Sequence, residues 1–155
     1  MAKPLFTVLK VIMLILTAVY PLIMVCLSGA GLVYNGASYG GGMKTVGMLL
    51  ITSGIIMTSG AILSLFRRNI LSVISIICSG SGLVLCLAML YKVVTHADAA
   101  GWADNYTMAP VSDMYQVRIL PVIIPAVLAV IIAAVHLASA SKKDSDAPAP
   151  SILGD

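Results

Sequence analysis

Four long stretches without a charged residue dominate this sequence and restrict its fold more than any other feature. They cover residues 11–33, 46–66, 70–91 and 119–137, and each is 19 to 23 residues long. The hydrocarbon core of a bilayer is about 30 Å thick and takes roughly 20 helical residues, so each stretch is long enough to cross it. The sequence therefore predicts four transmembrane segments.

The composition excludes a soluble globular domain. The chain is 60% hydrophobic and 10% charged, with a mean hydropathy of +1.06, whereas soluble domains carry about 25% charged residues. The net charge of +3 is not gathered into a basic run that would suit nucleic acid. The expected surroundings are the lipid bilayer and other membrane proteins, with no nucleic-acid partner and no cofactor.

Hydrogen bonding in lipid decides the type of segment. Only helices and closed barrels satisfy their backbone groups there, and the four stretches lack the period-2 alternation of barrel strands. The first stretch also exceeds the 7–15 apolar residues of a signal peptide, so we expect it to be retained. We predict an all-α polytopic protein, with a four-transmembrane-helix bundle in residues 1–141 and a disordered cytoplasmic tail in 142–155. The helices are expected at about 5–33, 46–66, 70–92 and 117–140.

The distribution of basic residues predicts the orientation. With a cytoplasmic N-terminus, six Lys and Arg side chains fall on the inner side and three on the outer side. This excess, together with an even number of helices, favours an N-in/C-in protein. We expect a multi-pass protein of the plasma or cytoplasmic membrane. The inner set is Lys3, Lys10, Arg67, Arg68, Lys142 and Lys143, and the outer set is Lys44, Lys92 and Arg118.

Small residues recur at helical spacing on the second and third predicted helices. On the third, Ser72, Ser75, Ser79 and Gly82 form what we call the serine seam. On the second, Gly47, Gly54 and Ala61 recur every seven residues and form the glycine stripe. Small residues let helices approach closely in lipid, so we expect the two sets to pack against each other. A hydroxyl-lined conduction path is the alternative interpretation.

The predicted helices hold few groups that could carry chemistry. The chain has no Glu, every Asp lies outside the four stretches, and His136 is the one ionisable candidate near an inner end. Coupled transport generally needs an embedded ionisable residue, so this pattern counts against it.

Cys26, Cys78 and Cys86 lie inside the stretches without CxxC spacing and are interpreted as small hydrophobic residues. Interior prolines, of which Pro21 is the first, predict kinks.

The segment between the third and fourth stretches is expected to be an outer loop. In it, His96 and Asp98 form a weak candidate for a metal site, because divalent cations accept imidazole and carboxylate ligands. Thr95 followed by Asp98 can equally mark the start of a short surface helix.

Three further residues of the same loop, Trp102, Asp104 and Tyr106, are candidates for contact with a partner protein. Tyr and Trp rings favour the headgroup level, so a membrane-interface belt is the competing interpretation of these aromatic residues.

Three functions remain in competition. The first is a non-enzymatic interaction protein, an accessory or membrane-organising subunit that associates through the small-residue seams with a membrane-protein partner or a second copy. The second is an oligomeric channel or facilitator with a path lined by Ser and Thr. The third is a membrane enzyme that uses the outer-loop His and Asp residues.

Overall fold

A computed structural model of the chain describes the backbone of residues 3–101 and 115–145 and the side chains of residues 4–101 and 119–140. Every regular element in these residues is a helix, which confirms the all-α prediction. The elements are α1 (Lys3–Thr17), a π-helical segment (Ala18–Val25), α2 (Cys26–Tyr34), α3 (Gly36–Tyr39), α4 (Met43–Leu63), α5 (Asn69–Ala99) and α6 (Tyr115–Ser145).

Four helical stretches are long and apolar enough to cross a membrane. We call them the first to fourth spans, in chain order. They cover Pro4–Tyr34, Met43–Leu63, Asn69–Ala99 and Ile119–Ala140.

The four spans pack in a square, with each span beside the next along the chain. The second span contacts both the first and the third, and the third contacts the fourth. The first span reaches the fourth mainly through α1. We call the end that holds the turn 64–68 the turn end, and the end that holds residues 35–42 the loop end.

A proline changes the hydrogen-bonding pattern of the first span. Pro21 has no backbone N–H, and in a regular α-helix its ring would clash with the carbonyl group of Thr17. The residues around it, Ala18–Val25, adopt a π-helix instead, between regular α-helical turns on either side. The thiol of Cys26 lies 3.6 Å from the Pro21 carbonyl oxygen and donates to it. The sequence predicted a kink here, and the structure has a wider helical turn.

Three consecutive glycines fix the start of α4. Gly40, Gly41 and Gly42 have φ values of 67°, 55° and 75°, which are left-handed conformations that a Cβ atom disfavours. The carbonyl oxygen of Gly42 accepts hydrogen bonds from the Thr45 and Val46 amides. The second helix therefore begins at Met43, three residues before the predicted start.

The third and fourth helices are longer than predicted. The third was expected to end near residue 92, but α5 continues to Ala99 because Val94 and Ala97 are still buried against the bundle. The fourth, α6, extends through Ser145, so the first residues of the predicted tail are helical. The remainder of the tail, 146–155, lies outside the described residues.

Candidate functional site

The serine seam packs against the second span. All four of its members are buried. The hydroxyl group of Ser75 donates a 2.7 Å hydrogen bond to the carbonyl oxygen of Gly60 on α4. A Cβ atom added to Gly82 would lie 2.7 Å from Cγ of Met57, so the two backbones approach closely there. The serine seam thus forms part of the interface between the second and third spans.

Gly60 is central to that interface and is not among the small residues that the spacing singles out. A Cβ atom at Gly60 would overlap the hydroxyl oxygen of Ser79 and lie 2.8 Å from the Ser79 amide nitrogen. A seven-residue spacing could have indicated Gly60. Ser53 and Gly60 are seven residues apart, and each directly precedes a member of the glycine stripe in the sequence. Ser53 also contacts the Cys86 thiol of α5. The face of α4 that meets α5 therefore carries Ser53, Met57 and Gly60.

The glycine stripe faces a different neighbour from the expected one. A Cβ atom at Gly47 would lie 2.6 Å from the Gly29 carbonyl oxygen, and one at Gly54 would lie 2.5 Å from the Pro21 carbonyl oxygen. Ala61 is buried in a cluster with Met13 of α1. The expectation that the stripe meets the serine seam is wrong, because the two faces of α4 are offset by one residue and the stripe packs on the first span.

These contacts leave the seam and the stripe inside the bundle. Most hydroxyl groups nearby bond to their own helix, such as Ser53 to the Leu50 carbonyl and Thr58 to the Gly54 carbonyl. Ser72 and Ser79 are buried, and their hydroxyl oxygens have no hydrogen-bond partner among the described residues. Neither set of small residues is thus exposed on the surface where a partner protein would bind.

The structure places His96 and Asp98 in the last turns of α5 instead of in a loop. His96 Nε2 donates a 2.9 Å hydrogen bond to the Tyr39 carbonyl oxygen, and the imidazole ring lies against Gly41. Two residues of an α-helix are rotated by about 200°, so the two side chains leave α5 in different directions. No group of three possible metal ligands occurs within the described residues. His96 therefore holds the three glycines at residues 40–42 in place at the loop end.

Thr95 does not begin a surface helix either. Its hydroxyl donates to the Tyr91 carbonyl oxygen one turn earlier, as in the interior of a helix. The other loop candidates, Trp102, Asp104 and Tyr106, lie outside the described residues.

A cleft opens between the first and fourth spans, toward the loop end. Helix α1 packs on α6, but no Cα atom of α2 lies within 8 Å of one in α6 among the described residues, so the two spans diverge. The resulting cleft has a volume of about 570 Å³. We call it the cleft, and its lining residues are Tyr20, Met24, Val25, Ser28, Leu32, Leu50, Leu90, Val93, Val94, Ile119, Pro121 and Val122.

The cleft is apolar, with polar groups at two positions on one wall. Tyr20, Met24 and Ser28 recur at intervals of four on the first span and line the same wall. The other lining side chains are aliphatic, apart from Pro121. Met24 is 54% exposed. Ligand sites are commonly 300–1,000 Å³, mostly apolar and equipped with a few polar groups, and the cleft meets all three criteria.

Comparison of the chain with family models, with curated proteins and with solved structures finds no match.

Proposed function

We propose that the chain is a multi-pass membrane protein that acts without catalysis, as a membrane-organising subunit that holds a hydrocarbon chain of a lipid in the cleft. The main support for this proposal is the apolar cleft, which lies at the depth of the uncharged stretches and opens where the first and fourth spans diverge. The distribution of Lys and Arg supports an N-in/C-in orientation in this proposal.

The dimensions of the cleft favour a hydrocarbon chain over a helix. Its wall on the first span runs from Tyr20 to Leu32, which is roughly 18 Å at the rise of a helix. A transmembrane helix with its side chains is a rigid rod about 10–12 Å wide. A hydrocarbon chain is thinner and can bend to follow the walls of the cleft. These properties favour an acyl or isoprenoid chain as the occupant.

An occupant also accounts for the packing around the cleft. Apolar side chains that face an empty space lose dispersion contacts on that side. A flexible chain from the bilayer restores contacts to Met24 on one wall and to Val122, which is 5% exposed, on the other. The hydroxyl groups of Tyr20 and Ser28 offer hydrogen bonds to a polar group carried by such a chain.

The other two functions receive less support. The hydroxyl groups expected along a channel lie inside the bundle, and Thr58 bonds to its own helix. The imidazole of His96 is engaged with the Tyr39 carbonyl and diverges from Asp98. A channel would need a path assembled between copies, and an enzyme would need a positioned acid, base or nucleophile.

Native mass spectrometry of the protein released from nanodiscs tests the proposal. Met24→Trp fills the cleft from its exposed wall, and we expect the adduct of one retained lipid to fall at least fivefold. Leu27→Trp is the matched control, because Leu27 is 64% exposed and lies outside the cleft lining. Equal lipid retention by Met24→Trp and the unmodified chain would overturn the proposal, as would an equal loss in both variants.

A further inference from the structure

A cluster of nitrogen donors lies at the turn end, at the opposite end of the bundle from the mouth of the cleft. The ammonium group of Lys10 lies 3.3 Å from Nε2 of His136 and donates to it. The same ammonium group lies 4.8 Å from the centre of the Phe6 ring, and that ring meets the His136 imidazole edge-on at 5.6 Å. Phe6 therefore holds both nitrogen groups in place.

Arg67 adds a second positive charge to the cluster. It lies within electrostatic range of both Lys10 and His136. Among the described side chains, the one carboxylate belongs to Asp98, which is at the loop end. Two like charges close together near a low-dielectric interior repel each other, and an anion bound between them offsets that repulsion. The cluster thus has excess positive charge and no described counter-ion.

The imidazole of His136 has a fixed orientation in the cluster. Because Nε2 accepts from Lys10, the ring proton lies on Nδ1. Nδ1 is buried, and the ring lies within reach of the backbone carbonyl groups of Ser64 and Phe66 in the turn. The side chain as a whole is 9% exposed. The turn and Lys10 thus hold the imidazole from two sides, which fixes Nε2 toward the ammonium group.

The depth of the cluster matches the phosphate layer of a membrane. Lys10 immediately precedes the first uncharged stretch, and Arg67 immediately follows the second. Beside Arg67, residues Arg68 to Leu71 line a depression of about 480 Å³ at the start of α5, whose first backbone N–H groups point toward the turn end. Such N–H groups favour an anion, and Arg residues bind phosphate in two-pronged geometry.

We propose that Lys10, Arg67 and His136 form a binding site for a phosphate group, supplied by an anionic lipid headgroup or by free phosphate. The ammonium and guanidinium groups bind the phosphate oxygens, and His136 orients Lys10 through the Nε2 hydrogen bond. This site is separate from the cleft, and it stands even if the cleft holds no chain.

The thermal unfolding midpoint of the full chain in a neutral detergent tests the site. Three additions are compared at equal ionic strength: short-chain phosphatidylglycerol, inorganic phosphate and potassium chloride. A ligand at about five times its dissociation constant raises the midpoint by about 2–4 °C in a protein of this size. A rise with phosphatidylglycerol alone identifies the lipid source, and an equal rise with inorganic phosphate identifies the free anion.

Substitutions then locate the effect. Lys10→Met keeps the aliphatic stem on Phe6, and Arg67→Gln changes an exposed side chain, so both are expected to fold. Each should weaken the affinity for the effective ligand about fivefold or more, as expected for the loss of one basic contact at a membrane surface. Lys10→Arg, which keeps the positive charge, should retain most of the affinity that Lys10→Met loses. Lys44→Gln makes the same charge change at the loop end and should leave the affinity unchanged.

The proposal is overturned if neither phosphate source raises the midpoint above the chloride control. It is also overturned if Lys44→Gln weakens binding as much as Lys10→Met and Arg67→Gln do, because the effect would then follow net charge instead of the site.

Discussion

The contact between α4 and α5 at Gly60 gives the sharpest prediction about stability. In Gly60→Ala the new methyl group would overlap the Ser79 hydroxyl and lie 2.8 Å from the Ser79 amide and 3.2 Å from Cβ of Cys78. A backbone atom cannot rotate away, so the helices must separate by several tenths of an ångström. The 2.7 Å hydrogen bond from Ser75 to Gly60 would lengthen as they do.

The magnitude follows from three contributions. Overpacking of a close interface costs about 1–3 kcal/mol. Weakening an interhelical hydrogen bond in a membrane protein costs on average about 0.6 kcal/mol. The higher helix propensity of Ala offsets about 0.8–1 kcal/mol of this. We therefore expect Gly60→Ala to lower the free energy of unfolding by about 0.6–2.8 kcal/mol.

Gly80→Ala is the matched control for the assay. Gly80 follows Ser79 on α5 and is half-buried, and a Cβ atom there would meet nothing within 4 Å. Unfolding by sodium dodecyl sulfate in mixed micelles, followed by circular dichroism, compares the two variants with the unmodified chain. Gly80→Ala should be neutral or slightly more stable. Equal stability of Gly60→Ala and Gly80→Ala would refute the close approach of the two helices.

Three further outcomes are expected. In the same unfolding assay, Ser75→Ala should lower the free energy of unfolding by about 0.6 kcal/mol, and by at most about 1.7 kcal/mol, since it removes one interhelical hydrogen bond. An unchanged free energy of unfolding would show that the bond does not form. Gly29→Ala should destabilise by about 1–3 kcal/mol because the methyl group meets the Gly47 carbonyl, whereas Gly31→Ala, which meets nothing within 4 Å, should not; equal effects would contradict the packing of the first span. His96→Ala should speed amide hydrogen exchange at residues 40–42 without changing exchange in the spans, because the ring fixes that segment; unchanged exchange there would show that His96 is not an anchor.

The helical spans follow from the sequence because the absence of charge over about 20 residues leaves few alternatives in lipid. Their ends are harder to predict. The third helix continues past its apolar stretch because Ala97 is buried and His96 bonds to Tyr39, a residue 57 positions earlier. No local pattern reports a contact of that kind. Likewise, Gly42 begins α4 through its left-handed backbone, and hydropathy does not detect this.

The packing partners of small residues were predicted only in part. Spacing showed that Gly47 and Gly54 share a face of the second helix, but spacing does not say which neighbour that face meets. Gly60 is one position away from the stripe and faces the other neighbour, since one residue turns a helix by about 100°. The cleft was not predicted at all, because it arises from the divergence of two spans that meet at α1 and separate beyond Pro21.

The central claim is that a hydrocarbon chain occupies the cleft, and site mapping with a photoactivatable lipid tests it most directly. A lipid with a diazirine in its acyl chain is incorporated into nanodiscs with the protein, illuminated, and the labelled peptides are identified by mass spectrometry. We expect label concentrated on Leu90 and Val94 of α5 and on Val122 of α6, and lost in Met24→Trp. Label spread evenly over lipid-exposed side chains such as Ile77, with no change in Met24→Trp, would contradict the claim.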